Sequence, residues 1–291
     1  MPSERILSIY GPGLLGGSLA LAVQERMPEV KLRFWARRDS ASAGIQARGI
    51  QAEFFTDAAA AASGASLIVL CTPVETMAGL AGQIAQADLA ADCLITDVGS
   101  VKGSVVRELQ PILGARFIGS HPMAGSEKTG VEAARADLFQ NAACLLTPTE
   151  VTQPADLHRL RDFWSSLGCR LLEFAPDEHD HKVARISHLP HMMAAVTTLA
   201  ALRDDPSAVQ CAAGGFRDTT RVSAGDPGLW TGIAMSNRSA IIAQLREASV
   251  TLGDLLKILE ASDEAALRQF LAEAKGLRDT LVPATASNAK V

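Results

Sequence analysis

The stretch Ile6-Leu-Ser-Ile-Tyr10-Gly11-Pro-Gly13-Leu-Leu-Gly16-Gly17-Ser18 decides the fold. An apolar run rich in β-branched residues ends in three glycines spaced G-x-G-x-x-G, and a helical pattern over Leu14–Arg26 follows. In that context the first glycine makes the tight turn and the second lets backbone approach a pyrophosphate. The third allows the helix to pack closely on the strand. The helix N-terminus then faces the negative charge. Gly11, Gly13, Leu14, Leu15 and Gly16 are read as a dinucleotide cradle, with Thr72 and Pro73 assigned to the same site.

Outward from this unit, short apolar runs alternate with amphipathic or Ala-rich stretches, the βαβ pattern of a parallel sheet covered on both faces. The predicted strands are Ile6–Tyr10, Leu32–Ala36, Leu67–Cys71, Cys93–Val98, Arg116–Gly119, Ala143–Leu146 and Arg170–Phe174. Past Pro176 the strand signals stop. One long helix is predicted over Asp177–Leu202 despite Pro190, then an interruption at Gly214–Gly215. Helices near Gly228–Gly253, Leu255–Glu260 and Asp263–Leu281 follow, with fraying expected over Ala284–Val291. The expected architecture is α/β: a Rossmann-type parallel-sheet domain over 1–175, followed by an all-α domain over 176–291. In the last helix Leu267, Phe270, Leu271, Ala274 and Leu277 form an apolar stripe that needs a partner surface. A second copy of the chain, in a homodimer, is the expected one.

Composition narrows the function class. The chain has 291 residues, is 48% hydrophobic and carries a net charge of −5, with its cations scattered, which excludes a phosphate-tracking nucleic-acid surface. No apolar run reaches the roughly 20 residues a bilayer crossing needs, and no signal-like segment opens the sequence. Five cysteines, none in a CxxC pair, support neither a disulfide framework nor a zinc site, and a reducing cytoplasm is the expected compartment.

The second strand ends at Ala36, where an NAD-preferring site usually carries Asp or Glu for the ribose hydroxyls. Arg37 and Arg38 follow at once, cations suited to a 2′-phosphate, so NADP is the expected cofactor. A solvated turn, or Asp39 serving the ribose of NAD, is the alternative. Two further stretches, Asp97-Val-Gly-Ser100-Val-Lys102-Gly103 and Gly119-Ser-His121-Pro-Met-Ala-Gly-Ser126-Glu127-Lys128-Thr-Gly130, are expected in loops after strand ends. That edge is where open parallel sheets bind ligands.

These motifs, with Ser187-His188-Leu-Pro-His191, Gly214-Gly-Phe-Arg217-Asp218-Thr-Thr-Arg221 and Asp226-Pro-Gly-Leu-Trp230, closely resemble the prephenate/arogenate dehydrogenases of tyrosine biosynthesis. The resemblance runs in order from Gly11 to Trp230. It implies hydride transfer to NAD(P) coupled to decarboxylation of a cyclohexadienyl acid: prephenate first, with arogenate or both substrates as the alternative. A nicotinamide-sensing module without catalysis is the remote alternative. Under the resemblance His121 matches the catalytic histidine, and Ser100 the serine that orients it or the substrate hydroxyl. Arg221 matches a carboxylate binder, and Ser126, Glu127, Gly214 and Trp230 match pocket positions. Glu127 also reads as a helix-start carboxylate, and Trp230 as core. A pocket histidine falls on His188, with His191 as second choice. His179, His181, His188 and His191 crowd one segment with Asp177 and Asp180, yet no closed ligand pattern appears and no metal is expected.

Overall fold

A computed structural model describes residues 5–125 and 128–281. The chain forms two compact units, Met1–Asn237 and Arg238–Val291.

The first unit opens with β1 (Ile6–Tyr10), α1 (Leu14–Arg26), β2 (Lys31–Trp35), α2 (Ala41–Ala47), β3 (Glu53–Phe55), α3 (Ala58–Ala62), β4 (Leu67–Leu70), α4 (Val74–Ile84), β5 (Leu94–Asp97) and α5 (Gly103–Leu113). Its five strands run parallel in the order β3-β2-β1-β4-β5. Strand alternation supplies two cores from the same residues. Leu7, Ile9 and Val69 face α1 on one side, while Tyr10, Ile68 and Leu70 face α3 and α4 on the other. The solitary tyrosine has a structural place: Tyr10 donates its hydroxyl to the Ala58 carbonyl at 2.5 Å and stacks on Trp35.

A second sheet follows, with β6 (Gly119–Pro122) antiparallel to β7 (Ala143–Thr147) and β7 parallel to β8 (Arg170–Glu173), and α6 (Pro154–Ser166) joining the last two. Between the two sheets, a bridge from Ile95 to Phe117, just before β6, is the one isolated pairing among the described residues.

Several expectations need correction. The edge strand β3 was not predicted, because three residues, Glu-Phe-Phe, are too few to carry a periodic signal. The strand expected at Arg116–Gly119 lies instead at Gly119–Pro122. Residues 114–116 close a 3₁₀ turn, and the ladder with β7 begins only at Gly119. His121 is therefore within a strand rather than in a loop after one.

Among the described residues, every element after β8 is helical. The long helix expected over Asp177–Leu202 is α7 (Pro176–Val183), a π-helical turn over Ala184–His188, and α8 (Leu189–Leu202). Pro190 has no N–H to give and its ring crowds the preceding turn, and the widened π turn immediately before it relieves both. Gly214–Gly215 does not interrupt helical structure but opens α9 (Gly214–Thr220). The helix expected over Gly228–Gly253 is split into α10 (Pro227–Ser236) and α11 (Arg238–Glu260), and α11 absorbs the segment at Leu255–Glu260. Because α7 packs on α5 and β7, the first compact unit runs on through the early helices to Asn237.

The second unit is a helical hairpin of α11 and α12 (Glu264–Asp279), with Asp263 capping α12 by accepting from Ala266 N at 2.9 Å. Of the predicted stripe, Leu271 and Leu277 are exposed in the single chain, as are Leu256 and Leu259. The expected frayed end, Ala284–Val291, is outside the described residues.

A Cβ at Gly16 would fall onto the Gly11 carbonyl, a backbone atom with nowhere to go. Gly16→Ala is expected to cost about 1–3 kcal/mol and lower Tm by roughly 3–10 °C in a thermal melt.

Candidate functional site

Gly11 sits at φ +110°, and a side chain there would meet the Cys71 carbonyl at 2.9 Å. A Cβ on Gly13 would meet nothing within 4 Å, so the second glycine opens onto free space, as a diphosphate requires. Gly13 is the N-cap of α1 and has no side chain to cap it, leaving the first N–H groups of the helix available. Together these line a cleft of about 720 Å³ with Trp35, Ala36, Arg37, Thr72 and Pro73. Thr72 Oγ1 is buried there without a protein partner. A first glycine closed to side chains, open space at the second and an orphaned hydroxyl fit a dinucleotide. Arg37 lines the cleft; Arg38 does not, and Leu14 and Leu15 lie behind the loop on the helix. A second groove, of about 630 Å³, is lined by Leu7, Leu67 and Leu94 at the N-terminal ends of their strands. That is the wrong edge for a ligand of a parallel sheet.

Beyond the C-terminal end of β5 lies a buried polar cluster. Asp97 and Lys102 form a fully buried ion pair, and Asp97 also accepts from Gly99 N at 2.8 Å. Asp180, on α7, accepts from the backbone N–H groups of Lys102 and Gly103 at 2.7 and 2.9 Å, and so caps the start of α5. A Cβ at Gly103 would stand 2.7 Å from Asp177 Oδ1 and 2.8 Å from Asp180 Oδ2, so a side chain there would push these carboxylates aside.

Behind this cap, Asp180 Oδ1 is 2.9 Å from His179 Nδ1, and His179 Nε2 is 2.9 Å from His121 Nδ1. Proton positions follow from the donor inventory. Burial raises the Asp180 pKa, but bonds from His179 and the two backbone N–H groups outweigh it and hold the carboxyl below its usual range. An ionised Asp180 must accept, so His179 carries its proton on Nδ1. A neutral His179 then accepts at Nε2, which puts the His121 proton on Nδ1. His121 Nε2 is left as the lone-pair nitrogen, with no hydrogen-bond partner among the described residues. Burial, then His179, Lys102 and His188, hold the His121 pKa well below 6.5. The imidazole is a neutral acceptor near pH 7.

Strand alternation turns the neighbouring Ser120 to the opposite side, where its hydroxyl contacts Thr96 Oγ1 at 2.8 Å and accepts from Trp164 Nε1 at 3.1 Å. Ser100, after β5, is half-buried, and among the described residues no hydrogen bond joins it to His121. The side chain hydrogen-bonded to His121 is His179. In the sequence alone His179 and Asp180 read only as candidate metal ligands; their adjacency on a helix gives no hint of a partner far back in the chain.

His188 and His191 both approach Trp230. His191 stacks on the indole, with centroids 3.4 Å apart and planes within 12°, while His188 meets it edge-on at 6.1 Å. Gly225 makes room for this stack, since a Cβ there would strike the indole Nε1 at 2.5 Å. Trp230 is set by α10, whose N-cap Asp226 accepts from Leu229 N at 2.7 Å. Gly214 and Arg221 bracket α9, both exposed. Ser126 and Glu127 are outside the described residues. His181 points outward, its Nδ1 2.7 Å from the Asp177 carbonyl oxygen.

The fold and cluster define a dinucleotide-dependent oxidoreductase architecture: a glycine cradle at the sheet edge, with a neutral, oriented imidazole held in the same unit. Two family models match the chain, the prephenate dehydrogenase nucleotide-binding domain over residues 19–173 and the prephenate dehydrogenase dimerization domain over 175–273. The chain belongs to the prephenate dehydrogenase family. It is 32% identical over 278 residues to the prephenate dehydrogenase of Bacillus subtilis, covering 94% of this chain and 75% of that protein. Its fold matches prephenate dehydrogenase from A. aeolicus in complex with hydroxyphenyl propionate and NAD+, with TM-score 0.89 and 29% identity over 94% and 97% of the two chains. Synechocystis arogenate dehydrogenase matches at TM-score 0.82 and 32% identity, covering 96% of this chain and all of that one, 100%.

Buried neutral histidines also make stability pH-dependent. Burial holds the His188 pKa at about 4, from 6.5 in the open chain. The unfolded state therefore binds more protons between these values, and the contribution is complete above pH 6.5 and lost as pH falls toward 4. Melts are expected to show stability falling by on the order of 1 kcal/mol per pH unit for this group across that window, and His188→Leu is expected to flatten the dependence.

Proposed function

We propose that the chain catalyses oxidative decarboxylation of a cyclohexadienyl acid in tyrosine biosynthesis, with prephenate as the leading substrate, arogenate the alternative, and NADP the preferred cofactor. The observation that carries this reading is the row Asp180–His179–His121, which leaves His121 Nε2 as a neutral base. When bound in the glycine cleft, the nicotinamide supplies the hydride acceptor. His121 Nε2 takes the proton of the ring hydroxyl as that carbon becomes carbonyl-like. The electron pair released by the departing ring carboxylate, which leaves as CO2, completes the aromatic ring and returns the carbonyl pair to oxygen, which then takes a proton back to give the phenol. The proton gained by His121 leaves an imidazolium whose Nδ1–H still donates to His179, with the Asp180 charge behind it.

The other assignments extend this reading. Ser100 is assigned to the substrate hydroxyl, and Arg221 to a substrate carboxylate, a pairing a guanidinium makes with two parallel bonds. Gly214, Trp230, Ser126 and Glu127 are assigned to the pocket wall. Arg37, with Arg38 beside it, is assigned to the 2′-phosphate. Ala36 in place of an acidic residue and Arg37 in the cleft support NADP over NAD. Two chains are proposed to pair through the helical part, supported by the family's dimerization domain and by exposed Leu256, Leu259, Leu271 and Leu277. Among the described residues no helix is long and apolar enough to cross a membrane. The proposed setting is the cytoplasm.

Steady-state kinetics on a two-by-two grid of prephenate or arogenate with NADP or NAD tests the reading. Failure to produce reduced cofactor in any combination overturns it, and a strong NAD preference overturns the cofactor assignment alone. Arg37→Ala is expected to raise the KM for NADP roughly 10-fold or more and to affect NAD less. His121→Asn is expected to lower kcat by about 10²-fold or more with little change in KM. In the wild type the acid limb of kcat/KM should fall below pH 6.5, because the lowered His121 pKa keeps the base unprotonated there. Leu256→Glu with Leu271→Glu is expected to halve the mass measured by light scattering.

A further inference from the structure

Asn237 follows α10 and is 4% exposed, a polar side chain that neither the cofactor cleft nor the His121 row uses. Its Nδ2 donates to the Asp180 backbone carbonyl at 2.8 Å. A carbonyl can only accept, so the amide nitrogen, not its oxygen, must face this corner. The same Nδ2 lies 3.2 Å from His188 Nδ1. An amide nitrogen can only donate, so His188 Nδ1 must hold a lone pair and the single ring proton must sit on Nε2. His188 is 1% exposed, and its Nε2 is buried without a partner. A buried N–H left unmatched is unfavourable, and most such groups in folded proteins are satisfied by protein, water or ligand.

The position of His188 adds to this. It closes the π-helical turn, and single π turns inside helices recur at functional sites. Its ring meets Trp230 edge-on, beside the His191–Trp230 stack. It also couples electrostatically to His121, His179, His191 and Asp180, so it belongs to the same polar cluster as the proposed base. Burial keeps it neutral near pH 7, so it offers one N–H and no charge.

We propose that Asn237 is a positioning residue that locks His188 in the Nε2–H form, and that this N–H donates to a carboxylate or carbonyl oxygen of the substrate. The second half rests on the cyclohexadienyl acid reading given above; the first half does not. The device distinguishes oxygen from ammonium at that point, since a fixed donor stabilises an acceptor and opposes another N–H.

Nitrogen-15 NMR of the imidazole rings in the full-length protein at pH 7 reads the first half directly. The expected result is a His188 ring protonated at Nε2 and bare at Nδ1, with Asn237→Ala producing a mixture of tautomers. A wild-type ring protonated at Nδ1, or at both nitrogens, overturns the proposal and leaves the proposed reaction untouched. Adding NAD+ and hydroxyphenyl propionate should move the His188 Nε2–H resonance downfield, and an unmoved resonance overturns the donor role.

Kinetics separate positioning from mere support of the fold. Asn237→Ala should raise substrate KM roughly 10-fold with kcat changed less than about 3-fold. His188→Gln, whose amide can stand in for Nε2–H, should raise KM less than His188→Asn does. In the His188→Gln background Asn237→Ala should add no further increase. An equal increase in both backgrounds means that Asn237 only supports the fold, and the proposal fails. Absence of turnover with every substrate and cofactor pair overturns the proposed reaction and the substrate half with it, while the tautomer is still judged by NMR.

Discussion

The carboxylate of Asp180 is the contact on which the rest of the first unit depends. One side chain accepts from the two backbone N–H groups that open α5 and from His179, and its own backbone carbonyl accepts from Asn237. It thereby joins the helical segment after β8 to the sheet before it. A buried carboxylate is costly unless fully bonded, and here three donors and a helix N-terminus meet it. Gly103 is the steric condition for this arrangement, since any side chain at that position would displace the carboxylate.

From that anchor two histidine settings branch. Through His179 the charge of Asp180 fixes which nitrogen of His121 is bare; through Asn237 its peptide carbonyl fixes the amide that faces His188. Both outcomes follow from donor and acceptor identity rather than from fine differences in distance. The proposed base and the proposed donor are thus set by the fold itself, which is how a site would avoid reorganising during reaction. The sheet contributes the other half by alternation. Ser120 turns into the core to satisfy Thr96 and the Trp164 indole, and its neighbour His121 is thereby directed to the opposite side.

Much of the fold was legible because its signals are local. The glycine spacing after β1, the period-two runs of β4 and β5 and the loss of strand character after residue 175 each lie within a few residues. Errors fell where the local signal was short or ambiguous. β3 has three residues, and β6 was displaced because the apolar Phe117–Ile118 pair resembles a strand while making only one bridge. Pro190 gave warning of a disturbed helix, but not that the disturbance is a π turn ending on His188.

The sequence by itself determined the nucleotide cradle, the order of sheet and helices, and the motifs at His121, His188 and Trp230, because spacing and residue type are properties of neighbours along a chain. Only the tertiary structure decided that Asp180 caps α5, that His179 rather than Ser100 contacts His121, that Lys102 is buried on Asp97, and that Asn237 faces His188. These partners come from separate elements. Which nitrogen carries a proton is fixed by what stands opposite it in space, and no spacing along the chain encodes that.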